Sequence, residues 1–239
     1  MILFDNIYKS FGQKQVLQGL NLEIMKGESL VLLGRSGTGK SVTLKCLLGL
    51  LKPDKGHIKI DDQPVTKSIN DRVGMLFQSS ALFDSLPIWK NIAFRFLERR
   101  DTNAMQKAID LLDKVGLSPG VANQYPSELS GGMQKRVGLA RALAADPDIM
   151  LFDEPTTGLD PISAKQINSL IANLRKERGS TSLTITHDLH SARQIADRVA
   201  LIHNGCIVWT GSTNELDTSE IAYIRQFVDC QVEGPLTRG

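Results

Sequence analysis

A glycine-rich loop between an apolar strand and a helix constrains the fold of this chain more than any other feature. Residues 34–41 read Gly-Arg-Ser-Gly-Thr-Gly-Lys-Ser; they follow the apolar run 29–33 and open a helical pattern that ends near Gly49. Glycines let the backbone curl so that its N–H groups point at phosphate oxygens, with a helix N-terminus behind them. We expect Lys40 to reach the β- and γ-phosphates of a nucleotide and the Ser41 hydroxyl to bind Mg²⁺. A glycine turn without function is disfavoured, because the strand, the spacing, the lysine and the serine all match.

Strand and helix patterns alternate along the chain, which predicts an α/β fold. Short apolar stretches separated by turns over 1–33 predict an antiparallel β entry. Apolar runs at 149–152 and 182–186 alternate with helical patterns at 131–145 and 163–176. Such alternation favours a parallel core sheet that is covered by helices.

The charge balance and the cysteines exclude several classes of protein. The 28 basic and 26 acidic side chains give a net charge of +2, which argues against a dedicated nucleic-acid binder. Cys46, Cys206 and Cys230 are odd in number and far apart, so they predict reduced thiols without a disulfide framework or a zinc site. No apolar run is long enough to cross a bilayer, and the first residues lack the pattern of a signal peptide. We therefore expect a cytosolic protein.

Two acids, Asp153 and Glu154, end the apolar strand pattern 149–152. Charged groups at the end of a core strand are costly unless they are paired or bind a metal. Asp153 suits Mg²⁺ held through a coordinated water, and Glu154 suits the polarisation of an attacking water. On this pattern alone, two acids that merely open a loop are an equally good interpretation.

His187 follows the apolar stretch 183–186, at the carboxyl end of a predicted core strand. A lone histidine is more often structural than catalytic. The carboxyl ends of parallel strands are, however, where α/β sheets place their ligands. Position therefore favours a functional histidine that donates a hydrogen bond to a γ-phosphate oxygen.

A second anion-binding motif, Leu-Ser-Gly-Gly-Met at 129–133, precedes the helical pattern 131–145. Its amides and the helix dipole point at an anion. A chain that already has a phosphate loop needs a second one only if the anion is shared. The motif therefore predicts a nucleotide-binding site that is completed by a second copy of the chain.

Together these motifs resemble the nucleotide-binding subunits of ABC transporters, in the same order and over residues 2 to about 215. The resemblance implies a P-loop NTPase of ABC type, with a RecA-like parallel core sheet, an N-terminal antiparallel β subdomain and an α-helical signature subdomain. It implies an ABC ATPase domain over 1–216, whose helical subdomain spans about 85–145, and a C-terminal helix and tail over 217–239. The stretch 87–117 is predicted to be helical. ATP and Mg²⁺ are the implied cofactors.

The resemblance also implies a role for each motif residue. Catalytic roles fall on Glu154, His187, Lys40 and Gln78. Mg²⁺ is held by Ser41, Gln78 and, through water, Asp153, and the D-loop contains Asp160. The residues that bind the nucleotide are Phe11, stacked on adenine, with Val16, Gly34, Arg35, Ser36, Gly37, Thr38, Gly39, Lys40, Ser41 and Val42, and in trans Ser130, Gly131 and Gly132. Val42 departs from many relatives, which have a hydroxyl residue there, so that a side-chain contact to the α-phosphate is lost.

The loop 34–42, the stretch 77–86 and the tail with Gly234-Pro235 resemble more narrowly the ATPases of Mce/Mla-type lipid transporters. This likeness implies transport of phospholipids or other hydrophobic molecules at the cytoplasmic face of the bacterial inner membrane. It also implies Mce-domain and STAS-domain partners. Apolar residues over 78–86 favour a groove for a short helix of the membrane permease, with an ordinary buried loop as the alternative.

The C-terminal stretch 219–230 predicts an amphipathic helix, followed by a polar tail. Such a helix most often packs on its own domain. The alternative, implied by the lipid-transporter resemblance, is a tail that reaches the neighbouring ATPase or a STAS-domain partner.

Three other functions are alternatives to lipid transport. The first is the ATPase of another ABC importer, such as an amino-acid importer. The second is an ABC ATPase that acts on DNA or the ribosome; these usually carry a long coiled-coil insertion or two ATPase domains in one chain, which this sequence lacks. A general P-loop kinase or GTPase is the least favoured, because such proteins lack the motif at 129–133.

Overall fold

A computed structural model describes residues 1–65 and 71–237 of the chain. These residues form two compact units. The first comprises the described residues up to 65 together with 181–237, and the second comprises 71–180. Within the described residues, no helix combines the length and the apolar character needed to span a membrane.

The first unit begins with an antiparallel sheet in the order β2-β1-β4-β5. Strand β1 (Ile2–Phe11) pairs with β2 (Lys14–Ile24) on one side and with β4 (Lys55–Ile60) on the other, and β5 (Gln63–Pro64) extends the sheet. Ile2 and Phe4 are buried whereas the intervening Leu3 is not, which is the alternation expected of a sheet with one covered face. The predicted antiparallel entry is confirmed.

A second sheet of the first unit has β3 (Ser29–Leu33) at its centre. Strands β8 (Thr181–Thr186) and β9 (Arg198–His203) flank β3 in parallel, and β10 (Cys206–Ser212) pairs antiparallel with β9. Every residue of β3 is buried, as expected of a parallel strand covered on both faces. The helices of this unit are α1 (Lys40–Leu47), α6 (Leu189–Ile195), α7 (Thr213–Thr218) and α8 (Ala222–Val228).

The second unit combines two parallel strands with four α-helices. Strands β6 (Val73–Leu76) and β7 (Ile149–Asp153) pair in register, with Leu76 opposite Phe152, so that their carboxyl ends lie side by side. The helices are α2 (Ile88–Glu98), α3 (Ala104–Lys114), α4 (Gly131–Leu143) and α5 (Pro161–Arg178). Two short 3-10 segments, Pro119–Asn123 and Pro126–Glu128, precede α4. The α/β fold predicted from the alternation is confirmed.

The helical stretch predicted over 87–117 is two helices rather than one. Arg100 has a φ of 55°, which breaks the helical path after α2. The Asp101 carboxylate then accepts a hydrogen bond from the Asn103 N–H at 2.9 Å and shapes the turn into α3. Residues 98–103 contain no apolar side chain, and this polar gap in the apolar periodicity coincides with the turn.

Candidate functional site

The phosphate loop lies in the first unit, between β3 and α1. Lys40 is only 7% exposed, and its ammonium donates hydrogen bonds to the carbonyl oxygens of Gly34 at 2.6 Å and Arg35 at 2.9 Å. These contacts hold a positive charge within the curve of the loop. The Ser41 hydroxyl belongs to the first turn of α1, and its side chain is exposed.

Gly39, the residue before α1, shows why this loop requires glycine. Its φ is +107°, a conformation that side chains disfavour. A Cβ there would also lie 2.8 Å from Leu17 Cδ2 and 3.0 Å from the carbonyl oxygen of Val16. The loop therefore packs directly on β2, which places Val16 beside the phosphate loop.

A cavity of about 340 Å³ lies beside the phosphate loop within the first unit. Its lining combines the predicted residues Val16, Arg35 and Ser36 with residues the sequence did not indicate, including His203 and Leu236. The pKa of His203 is lowered by partial burial and by the nearby charge of Arg35.

Phe11, the predicted adenine-stacking aromatic, ends β1 and is 48% exposed. The Lys9 ammonium lies 5.7 Å from the centre of its ring. Among the described residues, those that line the cavity do not include Phe11. Its place against a base remains a prediction.

The C-terminal tail packs on the first unit, beside the same loop. The carbonyl oxygen of Leu236 accepts a hydrogen bond from Arg35 at 2.8 Å, and Leu236 is only 5% exposed. Gln226 of α8 holds this conformation: its Oε1 accepts from the Leu236 N–H at 2.6 Å, and its Nε2 donates to the Gln231 carbonyl at 3.2 Å. A buried amide therefore fixes the tail against the phosphate loop of its own chain.

Gln226→Ala is expected to lower the free energy of unfolding by about 1–3 kcal/mol, because the partners of a buried amide lose their hydrogen bonds. Chemical denaturation measures the change. The same substitution in a chain truncated after residue 230 should cost much less, since the tail partners are already absent. An equal loss of unfolding free energy in the full-length and the truncated chain would contradict packing of the tail on its own chain.

The two acids predicted from sequence lie in the second unit, where β7 ends. Asp153 is the last residue of β7 and is partly buried, and Glu154 is 9% exposed. Glu154 has a φ of 48°, a strained conformation for a side chain of this kind. Its Oε2 accepts a hydrogen bond from Thr157 Oγ1 at 3.0 Å. The carboxylate is thus oriented by a neighbour while the backbone is held in an uncommon conformation.

The motif at 129–133 forms the N-terminus of α4. Ser130 is the capping residue, and its Oγ accepts a hydrogen bond from the Met133 N–H at 3.3 Å. Ser130 and Gly131 are exposed. An exposed helix N-terminus with two glycines suits an anion, and anion binding at this motif remains a prediction.

Asp160, the predicted D-loop residue, is the N-cap of α5. Its carboxylate accepts hydrogen bonds from the N–H groups of Ile162 at 2.9 Å and Ser163 at 3.0 Å. Hydrogen bonding, first of all with the side chain of Ser163, lowers the pKa of Asp160. In this chain Asp160 therefore has a local role in starting a helix.

Gln78 and His187 occupy equivalent positions in the two units. Gln78 lies two residues after the carboxyl end of β6 in the second unit, and His187 directly follows β8 in the first. Both side chains are exposed. These are the positions expected of ligand-binding residues in parallel sheets.

Two basic residues of α4, Lys135 and Arg141, were missed by sequence reasoning. Lys135 is buried at 5% exposure and donates to the carbonyl oxygens of Gln78 and Glu154. Arg141 donates to the carbonyl oxygens of Ser80 and Ala81. Basic residues inside a helical pattern usually indicate a solvated face, and their spacing gave no contrary signal.

Comparison with known proteins gives a consistent family. A family model described as ABC transporter matches residues 17–157. The chain is 39% identical to the chloroplastic protein TRIGALACTOSYLDIACYLGLYCEROL 3 of Arabidopsis thaliana, over 97% of this chain and 74% of the relative. It is 37% identical to the intermembrane phospholipid transport system ATP-binding protein MlaF of Haemophilus influenzae, over 99% of this chain and 93% of the relative. It is 41% identical to the arginine transport ATP-binding protein ArtM of Bacillus subtilis, over 90% of this chain and 92% of the relative.

Solved structures agree with these sequence comparisons. A dimeric ATP-binding cassette in a post-hydrolysis state, bound to ADP and Pi, has a TM-score of 0.80 at 30% identity and covers 89% of this chain and 99% of its own. The protein cbiO1 of Clostridium perfringens, part of the ABC transporter complex cbiONQ, has a TM-score of 0.83 at 26% identity and covers 97% of this chain and 95% of its own.

Proposed function

Because this chain belongs to the family of ABC transporter ATP-binding subunits, whose cassettes hydrolyse ATP, we propose that it powers the transport of a lipid, most simply a phospholipid, across a bacterial envelope. One observation carries the cargo class. The alignments with MlaF and with the Arabidopsis relative extend over 99% and 97% of the chain, whereas that with the arginine ATPase covers 90%. The likeness to the phospholipid transport protein therefore includes parts of the chain that a 90% alignment leaves out.

An amino-acid importer is the second candidate. The specific observation in its favour is the 41% identity to ArtM, which exceeds the identity to either of the other two relatives. Higher identity over a shorter alignment is expected where the ATPase core alone is shared. The lipid assignment therefore takes precedence until the membrane partner is identified.

The proposed chemistry assigns one task to each group of residues. The loop 34–41 binds the phosphates, with the Lys40 ammonium opposite the β- and γ-phosphates. The Ser41 hydroxyl, the Gln78 amide and the Asp153 carboxylate offer oxygen donors, which are the ligands Mg²⁺ prefers. Mg²⁺ would neutralise the charge that develops on the transferred phosphoryl group. Glu154 accepts a proton from the attacking water, and His187 donates to the γ-phosphate.

We further propose that two copies of this chain join head to tail, so that Ser130, Gly131 and Gly132 of one copy contact the nucleotide of the other. Two solved relatives are dimers. The exposed N-terminus of α4 supports the proposal, since its N–H groups suit an anion such as a phosphate of the other copy's nucleotide.

The proposed contact with the membrane permease lies on the second unit, at residues 78–86 and α2. Phe83 and Phe94 stack with ring centres 5.6 Å apart, although they are 48% and 41% exposed. Buried Asn91 fixes the loop beneath them, accepting from the Phe83 N–H at 2.7 Å and donating to the Leu86 carbonyl at 2.9 Å. An ordered, exposed aromatic pair of this kind suits the apolar face of a short helix.

Purification of the tagged chain from solubilised membranes tests the function. We expect an integral membrane permease to co-purify together with an Mce-domain protein, and a STAS-domain subunit where one is present. Capture of a solute-binding protein in place of the Mce-domain protein would overturn the lipid assignment. Either set of partners would place the chain at the cytoplasmic face of the inner membrane.

Phe83→Asp is expected to reduce the co-purified permease by about tenfold, because a charge replaces an apolar contact at the centre of the proposed interface. The purified variant should retain its basal ATPase activity. Met105→Asp on α3, which alters another exposed apolar side chain of the same unit, is the matched control. Equal permease recovery with both variants would remove residues 78–86 from the interface.

A further inference from the structure

The buried ammonium of Lys135 on α4 connects the loop that contains Gln78 with the loop that contains Glu154. Lys135 lies five residues after Ser130 and is 5% exposed. Burying a charged lysine is costly unless its donors are satisfied by well-placed partners. Such a residue is therefore expected to hold a specific arrangement of the groups around it.

The partners of Lys135 are backbone carbonyls on two different loops. Its Nζ donates to the carbonyl oxygen of Gln78, two residues after β6, and to that of Glu154 at 3.4 Å, directly after β7. The two strands are parallel neighbours, with Leu76 opposite Phe152. One side chain thus connects the backbone of the proposed Mg²⁺ ligand with that of the proposed general base.

Both loops have backbone conformations that need support. Glu154 has a φ of 48°, and Ser80 and Ala81 have φ of 60° and 48°. Non-glycine residues in this region cost of the order of 1–3 kcal/mol each and persist only where surrounding contacts fix them. The contacts of α4 fall at and beside these residues.

Arg141 and Gly138 extend the same contact along α4. Arg141 donates to the carbonyl oxygens of Ser80 at 2.9 Å and Ala81 at 2.6 Å. A Cβ at Gly138 would lie 2.8 Å from Leu76 Cδ1 and 3.3 Å from Ser80 Cβ, so this face of the helix lies directly against the loop. Helix α4 therefore contacts the loop after β6 through two basic side chains and a glycine.

Two carboxylates lie near Lys135, although its hydrogen bonds go to backbone oxygens. Burial lowers the pKa of Lys135, and the negative charges of Asp153 and Glu154 oppose that shift. Thr157 Oγ1, rather than Lys135, donates to the Glu154 carboxylate. The lysine thus fixes the backbone of Glu154, while the carboxylate of the same residue accepts a hydrogen bond from Thr157.

We propose that Lys135 is a positioning residue for ATP hydrolysis, which holds Gln78 and Glu154 in register with the helix that begins at Ser130. A nucleotide contacted by Ser130 would act on α4, and Lys135 would transmit a displacement of the helix to both loops. This inference rests on the proposed roles of Glu154 and Ser130. Lys135 acts through these loops, because its ammonium is hydrogen-bonded to their backbone carbonyls.

Lys135→Met, which keeps the length of the side chain and removes its donors, tests the proposal. We expect kcat to fall about tenfold or more, because small misplacements of catalytic groups have large effects on rate. The dissociation constant for ATP, measured with a fluorescent analogue, should stay within about twofold, because the phosphate loop is untouched. Lys135→Arg, which keeps the charge and several donors, should recover part of the lost kcat.

Lys114→Met is the matched control, since Lys114 is an exposed lysine of the same unit, and it should hydrolyse ATP at the wild-type rate. Wild-type kcat in folded Lys135→Met would overturn the proposal, as would a parallel loss of ATP binding. If the Met variant does not fold, Lys135→Gln replaces it, because its shorter amide cannot reach both carbonyls. The Glu154→Gln variant, measured in the same assay, distinguishes failure of the proposed base from failure of the positioning role. Full activity of Glu154→Gln would show that Glu154 is not the base. An inactive Glu154→Gln together with a fully active Lys135→Met would remove only the positioning role of Lys135.

Discussion

Glu154→Gln is expected to bind ATP and to accumulate as a nucleotide-bound dimer, while turnover falls by about a hundredfold or more, since general bases contribute about 10²- to 10⁴-fold to rates. The amide has the shape of the carboxylate but cannot accept the proton of the attacking water. Its oxygen can still accept the hydrogen bond that Thr157 Oγ1 donates to Glu154 at 3.0 Å. The strained backbone at this position should therefore be retained, and the defect should be confined to chemistry.

Single-turnover hydrolysis and size-exclusion chromatography with and without ATP measure both parts of this prediction. Glu177→Gln is the matched control, because Glu177 is an exposed acid on α5 of the same unit. It should hydrolyse ATP at the wild-type rate and should not accumulate as a dimer. Normal hydrolysis by Glu154→Gln would remove this residue from the mechanism, and loss of ATP binding would show that the substitution acts on the fold.

The phosphate loop and the core strands could be predicted because local sequence determines them. The strand Ser29–Leu33 is apolar at nearly every position since both its faces are buried, and Gly39 is required by a φ that side chains disfavour. Likewise, acids at the end of a buried strand imply a partner, which is why Asp153 and Glu154 stand out. At these positions the residue type itself indicates the burial or the backbone conformation of the site.

Features that depend on distant contacts could not be predicted in this way. Lys135 looks like a solvated helix residue, and only the tertiary structure shows that its ammonium is buried against two carbonyls. Gln226 similarly reads as a polar position on an amphipathic helix, although it holds the tail against Arg35 through Leu236. In both cases a polar side chain satisfies backbone groups outside its own helix, and the periodicity of the helix carries no signal for such contacts.

Two inactive variants are expected to restore hydrolysis when they are mixed, because each supplies the half of the site that the other lacks. Lys40→Ala should lose nucleotide binding, since it removes the ammonium that the Gly34 and Arg35 carbonyls hold in the phosphate loop. Ser130→Asp should retain the helix cap, as Asp caps as well as Ser, but it places a negative charge against the phosphate of the other copy. Each variant alone should be nearly inactive.

A mixed dimer of these variants contains one site with both defects and one intact site. If chains exchange at random and the sites act independently, equal mixing should give about a quarter of the wild-type rate, half of the dimers being mixed. Lys40→Ala mixed with Glu154→Gln is the control: both changes affect the chain that holds the nucleotide, so each site stays defective and no activity should return. An inactive mixture of Lys40→Ala and Ser130→Asp, in which mixed dimers are demonstrated by differential tags, would contradict action of Ser130 in trans.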